Sequence, residues 1–125
     1  MSQQFVVGEV VRYWWPVIVR IPDPEKAGQV LERKFEILFE PEDQDTAVET
    51  QLEYSAIASL KDRIEHERQQ LLRVAKDWKG VLDKNRQPVL FSEENFRAAL
   101  QQSWFRIGVN TALAESLAGQ ARLGN

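Results

Sequence analysis

Residues 15–39 read WPVIVRIPDPEKAGQVLERKFEILF, and this stretch decides the fold. Apolar side chains occupy alternate positions in both of its halves: Trp15, Val17, Val19 and Ile21 in the first, and Leu31, Phe35, Ile37 and Phe39 in the second. This period is typical of a strand that buries one face. Ile18 and Arg33 are exceptions to the pattern. We therefore predict two strands that share one buried face.

The segment from Pro22 to Gly28 separates the two predicted strands. It contains two prolines and a glycine, which disfavour a helix and predict a polar loop between antiparallel strands. A third, weaker strand is predicted from Phe5 to Arg12. A hairpin of two strands is marginal in water, so the sheet is expected to pack against the helices that follow.

The segment from Glu40 to Asp45 is an acidic connector. Asp45 is predicted to cap a helix that begins near Thr46, with Glu49 adding favourable negative charge in the first turn. Four carboxylates this close could also hold a calcium ion, but the glycine and the regular ligand spacing of a calcium loop are missing.

From Thr46 to Trp78 the sequence has neither proline nor glycine, and its apolar residues recur at steps of three and four. This spacing predicts one long amphipathic helix, with Leu60, Ile64 and Leu71 in the core. Unbroken, it would be roughly 50 Å long, more than a compact domain of this size needs. We therefore expect that part of it projects or that it breaks into two, and pairing with another subunit stays open.

The remaining sequence predicts shorter elements. Residues 79–91 place two short apolar runs around a polar turn, which indicates a loose hairpin. Ser92 is expected to cap a helix that buries Phe96, Ala99 and Leu100, and a last helix is expected from Trp104 to Leu117.

The predicted fold class is α+β: an N-terminal antiparallel β-hairpin or small sheet, then a long helix, a loose hairpin and two C-terminal helices. We expect one domain over residues 1–125. Residues 1–40 form its mainly β part, residues 46–118 its mainly helical part, and residues 119–125 a flexible tail.

The composition offers little for catalysis. The 125 residues include one histidine and no cysteine, and the glycines are scattered, so no nucleophile cluster, metal site or phosphate-binding loop is expected. His66, between two glutamates, is interpreted as a solvated helix residue. We expect no enzymatic activity, no cofactor and no bound metal.

Charge and hydropathy also bear on partners and location. Sixteen basic and nineteen acidic residues are mixed along the chain, with a net charge of −3, which disfavours nucleic acid as a partner. We expect no membrane association, because the sequence has no apolar run of membrane-spanning length. Export is not expected either, since the N-terminus lacks a basic leader. The absence of cysteine fits a reducing cytoplasm.

Two pairs of adjacent aromatic residues are the candidate protein-binding residues: Trp14 with Trp15, and Trp104 with Phe105. Neighbouring residues on a strand point to opposite faces, and neighbours on a helix diverge, so one buried face does not readily cover both members of a pair. Aromatic side chains commonly dominate protein interfaces. The alternative is that other elements of the chain cover both pairs.

Three segments resemble, in their order and spacing, the tail assembly chaperones of long-tailed bacteriophages and related prophages. They are Trp15-Pro16-Val17, Asp77-Trp78-Lys79-Gly80-Val81 and Pro88-Val89-Leu90-Phe91-Ser92-Glu93-Glu94-Asn95. The resemblance extends from Tyr13 to about Ala118. In the turn Asp83-Lys84-Asn85-Arg86-Gln87, the glycine that usually follows the asparagine in that family is replaced by Arg86, so the turn geometry is left open.

The resemblance implies a protein of the infected host's cytoplasm that is absent from the finished virion. Such a protein binds the tape-measure protein, keeps it soluble and helps recruit tail-tube subunits; homo-oligomers are possible. The alternative is a structural tail or neck component retained in the particle. A DNA-binding regulator that uses the last two helices is disfavoured, because their only basic residues are Arg97, Arg106 and Arg122.

Overall fold

The predicted hairpin is present and forms most of a three-stranded antiparallel sheet in the computed structural model, which describes residues 2–119. β1 (Tyr13–Pro22) pairs with β2 (Val30–Phe39) in one continuous register, from Tyr13 opposite Phe39 to Pro22 opposite Val30. Four helices accompany the sheet: α1 (Gln44–Ala56), α2 (Leu60–Val74), α3 (Glu93–Leu100) and α4 (Ser103–Leu117). The predicted α+β class is confirmed.

The third strand is not the one predicted. Residues 5–12 form no strand, and Gly8 lies in a turn with φ +83°. The third strand is β3 (Ala75–Lys79), which pairs antiparallel with β2 and gives the order β1-β2-β3. An irregularity falls between Leu38 and Phe39: Leu38 pairs with Asp77, while Phe39 pairs with Ala75. Lys76 is therefore the extra residue of a β-bulge.

The helix predicted from Thr46 to Trp78 is not continuous, and of the two expectations for it the break into two helices is confirmed. α1 ends at Ala56 and α2 begins at Leu60. Ser59 caps α2, because its hydroxyl accepts a hydrogen bond from the Asp62 N–H at 3.4 Å. Asp43, rather than Asp45, caps α1 and accepts from the Thr46 N–H at 2.8 Å; this bond holds the pKa of the Asp43 carboxyl below its usual value.

The two helices fold back on each other as a helical hairpin. Arg73 near the end of α2 donates to Thr50 of α1 at 3.2 Å and forms an ion pair with Glu42 at 3.0 Å. Toward the tip of the hairpin, His66 lies 3.3 Å from Glu53. Leu71 is buried as predicted, but Leu60 and Ile64 are exposed. The buried residues of α2, Leu71 and Val74, lie at its C-terminal end.

The core lies between the inward face of the sheet and helices α2, α3 and α4. Its largest fully buried side chains are Val17, Ile37, Phe39, Phe96 and Val109. Trp78 of β3 contacts the rings of Phe91, Phe96 and Phe105, with centroid distances of 5.3 to 6.2 Å.

The C-terminal helices follow the prediction closely. Ser92 caps α3 by accepting from the Asn95 N–H at 3.0 Å, and Phe96 and Leu100 are buried while Ala99 is half-buried. Arg97 of α3 pairs with Glu65 of α2 at 3.0 Å, which holds the pKa of the Glu65 carboxyl below its usual range. Apart from Gly119, the predicted flexible tail (residues 119–125) lies outside the described residues.

The predicted loose hairpin at 79–91 is present as a turn closed by one bridge, between Leu82 and Pro88. Asp83 organises it: its carboxylate accepts from the N–H groups of Asn85 at 2.8 Å and Gln87 at 3.0 Å. Arg86 adopts φ +61°, a left-handed conformation that glycine takes without strain. The turn thus forms with Arg86 at the position after the asparagine, where the chaperone family usually has glycine.

The left-handed conformation of Arg86 can be tested by substitution. Left-handed φ costs an L-residue roughly 1–2 kcal/mol, whereas glycine loses about 0.5–1 kcal/mol more backbone entropy on folding. Arg86→Gly should therefore stabilise the protein by about 0.5 kcal/mol, measured by urea unfolding. Lys84→Gly, in the same turn but without a positive φ, is the control and should destabilise. A loss of stability in Arg86→Gly would contradict the assigned turn.

Candidate protein-binding surface

The structure separates the members of each aromatic pair. Trp14 and Trp104 are exposed to 38% and 46%, so these two predicted residues are accessible. Phe105 is only 8% exposed and stacks on Phe35 with ring centroids 5.2 Å apart, so it belongs to the core and its proposal as an exposed contact residue was wrong. Trp15 is half-buried against the core and meets Tyr13 edge to face at 5.9 Å.

Backbone geometry explains this separation. On β1 the odd-numbered side chains face the core, so Trp14, Pro16 and Ile18 fall on the outer face of the sheet. Lys79 covers part of Trp14, with its ammonium 4.2 Å from the ring centroid. On α4 the inward stripe is Phe105, Gly108, Val109 and Ala112, which leaves Trp104 and Ile107 on the adjoining stripe.

Pro16 and Ile18 of the β1 set meet the α4 set where α4 crosses β1. A shallow groove of about 100 Å³ is lined by Ile18 and Arg20 of β1 and by Trp104, Ile107, Gly108 and Thr111 of α4. A smaller cleft beside it includes Pro16. We define the β1–α4 surface as Pro16, Ile18, Trp104, Ile107 and Thr111.

Close helix-to-strand contact makes this groove possible. A Cβ built on Gly108 would lie 2.8 Å from the Ile18 carbonyl oxygen and 3.3 Å from Val19 Cγ2. Only glycine lets the helix backbone approach β1 so nearly, and this approach brings Trp104 and Ile107 beside Ile18. Sequence reasoning missed Ile107, which is 56% exposed; its position three residues after Trp104 was the available signal.

Charges on the outer face of the sheet are largely matched. Arg20 pairs with Glu32 at 2.9 Å, and Lys79 pairs with Glu36 at 3.5 Å. Both members of each ion pair lie on the strands, so these two pairs add no net charge beside Trp14 and the α4 side chains. The surface therefore offers apolar contact area without a strong field of one sign.

Two further apolar regions are exposed, and neither was predicted. In the segment before β1, Phe5 is 90% and Val7 is 89% exposed. Arg12, at the end of this segment, forms an ion pair with Glu40 at 2.6 Å. On the helical hairpin, Leu52 and Leu60 are exposed to 65% and 73%. Apolar groups grouped in this way commonly mark contact surfaces for other proteins.

The polar side chains form no recognisable reaction centre. Within residues 2–119, no group of three or more histidine, aspartate or glutamate side chains is placed to hold a metal ion, including the acidic connector. His66 is less solvated than predicted: its side chain is 15% exposed, and its Nδ1 is buried without a hydrogen-bond partner among the described residues. No helix in this part of the chain is long and apolar enough to cross a membrane.

Comparisons of the chain with protein-family models, with curated proteins and with solved structures found no match.

Proposed function

We propose that this protein is a phage tail assembly chaperone that binds the tape-measure protein through the β1–α4 surface. It would keep that partner soluble in the host cytoplasm, help recruit tail-tube subunits around it and leave before the virion is complete. The observation that carries the proposal is the exposed pair Trp104 and Ile107 beside the Ile18 groove. The three sequence motifs that resemble the chaperone family support the identity of the partner.

The chemistry of the surface suits an apolar helix. Trp104 and Ile107 are separated by one helical turn, and the groove between them and β1 is apolar at its base. An amphipathic partner helix binds such a groove by inserting side chains spaced three or four residues apart. Tryptophan is enriched among residues whose removal costs the most binding energy.

Co-expression with the tape-measure protein encoded in the same phage or prophage genome tests the proposal. The wild-type chain should increase the soluble tape-measure protein and co-purify with it. The double variant Trp104→Ser/Ile107→Ser should reduce the co-purified amount at least roughly tenfold, as expected for the loss of central apolar contacts. Leu117→Ser, which removes an exposed apolar side chain at the far end of the same helix, is the matched control and should bind normally.

The other outcomes are equally informative. If the wild-type chain neither solubilises nor binds the tape-measure protein, the chaperone proposal fails. Detection of the chain in purified virions by immunoblotting would then favour a structural tail or neck component. If the wild-type chain and the double variant bind equally, the chaperone role stands and the β1–α4 surface is the wrong site.

A further inference from the structure

A second groove lies on the opposite side of β1, at the end of the sheet where β1 runs into its loop. It encloses about 470 Å³. Its apolar lining includes Val19, Ile21, Phe35 and Phe105, and the turn after β3 forms one wall. Val19 and Ile21 point inward from β1, whereas Ile18 belongs to the outer face, so the two grooves share no lining residue.

Two arginines line this second groove from different elements. Arg33 comes from β2, where it occupies an inward position in an otherwise apolar set, and Arg86 comes from the turn after β3. Neither guanidinium has an ion-pair or hydrogen-bond partner among residues 2–119, whereas Arg12, Arg20, Arg73 and Arg97 all pair with glutamates. We define Arg33, Arg86 and the four apolar residues above as the arginine groove.

The local charge is positive on a chain whose net charge is −3. Asp83 is the acidic residue that lines the groove. The Asp83 carboxylate is engaged by two N–H groups of its own turn. An arriving carboxylate would meet two arginines that form no ion pair with any of the described residues, in a groove whose one acidic lining residue is Asp83.

We propose that the arginine groove binds an acidic peptide segment of a partner protein, with one apolar side chain on the groove floor and flanking carboxylates on Arg33 and Arg86. Guanidinium groups bind carboxylates through paired, charge-assisted hydrogen bonds. An acidic peptide is favoured over a nucleic acid, since a phosphate backbone would gain only a few cationic contacts here. This site is independent of the proposed chaperone function.

A synthetic peptide array tests the site with the full-length protein. Each peptide carries one phenylalanine or leucine flanked by glutamates, and a matched set carries glutamines instead. The acidic set should bind at least roughly tenfold more tightly than the glutamine set by fluorescence anisotropy, as charge-assisted bonds require. Binding should also weaken as salt is raised, because the two arginines are exposed.

Variants locate the binding. Arg33→Gln/Arg86→Asn removes both charges, and asparagine tolerates the left-handed conformation at position 86, so the fold should persist. This double variant should lose at least roughly tenfold in affinity for the acidic peptides. Arg20→Gln, an exposed arginine of the same hairpin that lies outside the groove, is the control and should bind as the wild type does.

Three results with the peptides would overturn the proposal. They are no binding by any acidic peptide, equal binding of the acidic and glutamine sets, and equal binding by the wild type and the double variant. A single-stranded oligonucleotide serves as a competitor. If it binds more tightly than the acidic peptides and depends on the same arginines, the groove recognises phosphate and the peptide proposal fails. Thermal unfolding of each variant confirms that it is folded.

Discussion

Trp78→Ala should lower the free energy of unfolding by about 4 kcal/mol, the largest effect expected of any single substitution considered for this protein. Trp78 is 5% exposed and contacts Phe91, Phe96 and Phe105, and replacing a buried tryptophan with alanine typically costs roughly 3–5 kcal/mol. Its indole N–H also donates to the Val89 carbonyl at 2.7 Å, which ties the turn after β3 to the core. Urea unfolding followed by circular dichroism measures the loss.

Two companion variants separate the contributions of Trp78. Trp78→Phe keeps an aromatic ring but removes the N–H donor, so it should cost about 1.5 kcal/mol, the upper range for one hydrogen bond. Trp14→Ala removes an exposed tryptophan and should cost under about 1 kcal/mol, because little buried area is lost. Equal effects of Trp78→Ala and Trp14→Ala would contradict the assignment of Trp78 to the core.

Gly108→Val should destabilise the protein by about 3 kcal/mol. The Cβ alone would lie 2.8 Å from a backbone oxygen of β1, and a strand paired to β2 cannot yield as the end of a flexible side chain can. Overpacking of this kind costs roughly 1–3 kcal/mol, and the two further methyl groups of valine add to the conflict. A fall of the thermal midpoint by about 10 °C is the expected readout.

The matched controls for Gly108→Val lie on the same helix. Ala114→Val introduces the same side chain at an exposed position of α4 and should cost only about 0.5 kcal/mol, through lower helix propensity. Gly108→Ala should fall between the two, because the gain in helix propensity of about 1 kcal/mol offsets part of the clash. A neutral Gly108→Val would show that α4 does not approach β1 as described.

The β-hairpin could be predicted from the sequence because its information is local. Alternation in β1 and β2 specifies the buried face, and the register leaves each apolar set opposite the other, as in Val17 opposite Phe35. The same holds for α3, whose cap at Ser92 and apolar spacing lie within one short segment.

β3 could not be predicted in this way because a β-bulge interrupts the alternation of its buried and exposed side chains. In a regular strand Ala75 and Trp78, three residues apart, would face opposite sides. The extra residue Lys76 lets both side chains be buried. The resulting three-residue spacing of buried side chains is also typical of a helix, so the sequence pattern predicted that α2 continues to Trp78. The helix break was marked more clearly: Ser59 followed by Asp62 three residues later is an N-terminal capping pattern.

The sequence predicted the aromatic pairs of the candidate surface but not which residue of each pair is exposed. Adjacent aromatics on a strand or helix cannot all face one core, which indicated an exposed member in each pair without saying which one it is. Which member of the second pair is buried depends on how α4 lies on the sheet, and that is decided by Gly108 and its contact with β1. The arginine groove depends on a similar long-range placement, since Arg33 and Arg86 lie far apart in sequence and on different elements.

The helical hairpin has a consequence for how the protein opens. α1 packs chiefly on α2, and it buries Thr50 but leaves Val48 and Leu52 exposed. Breaking the contacts of Arg73 and His66 would release α1 while the sheet, α3 and α4 keep their core. Amide hydrogens of α1 should therefore exchange with solvent through a local opening, at a free energy well below that of global unfolding. The tip at residues 57–59 lies outside the core, so an insertion there during evolution should cost little folding free energy.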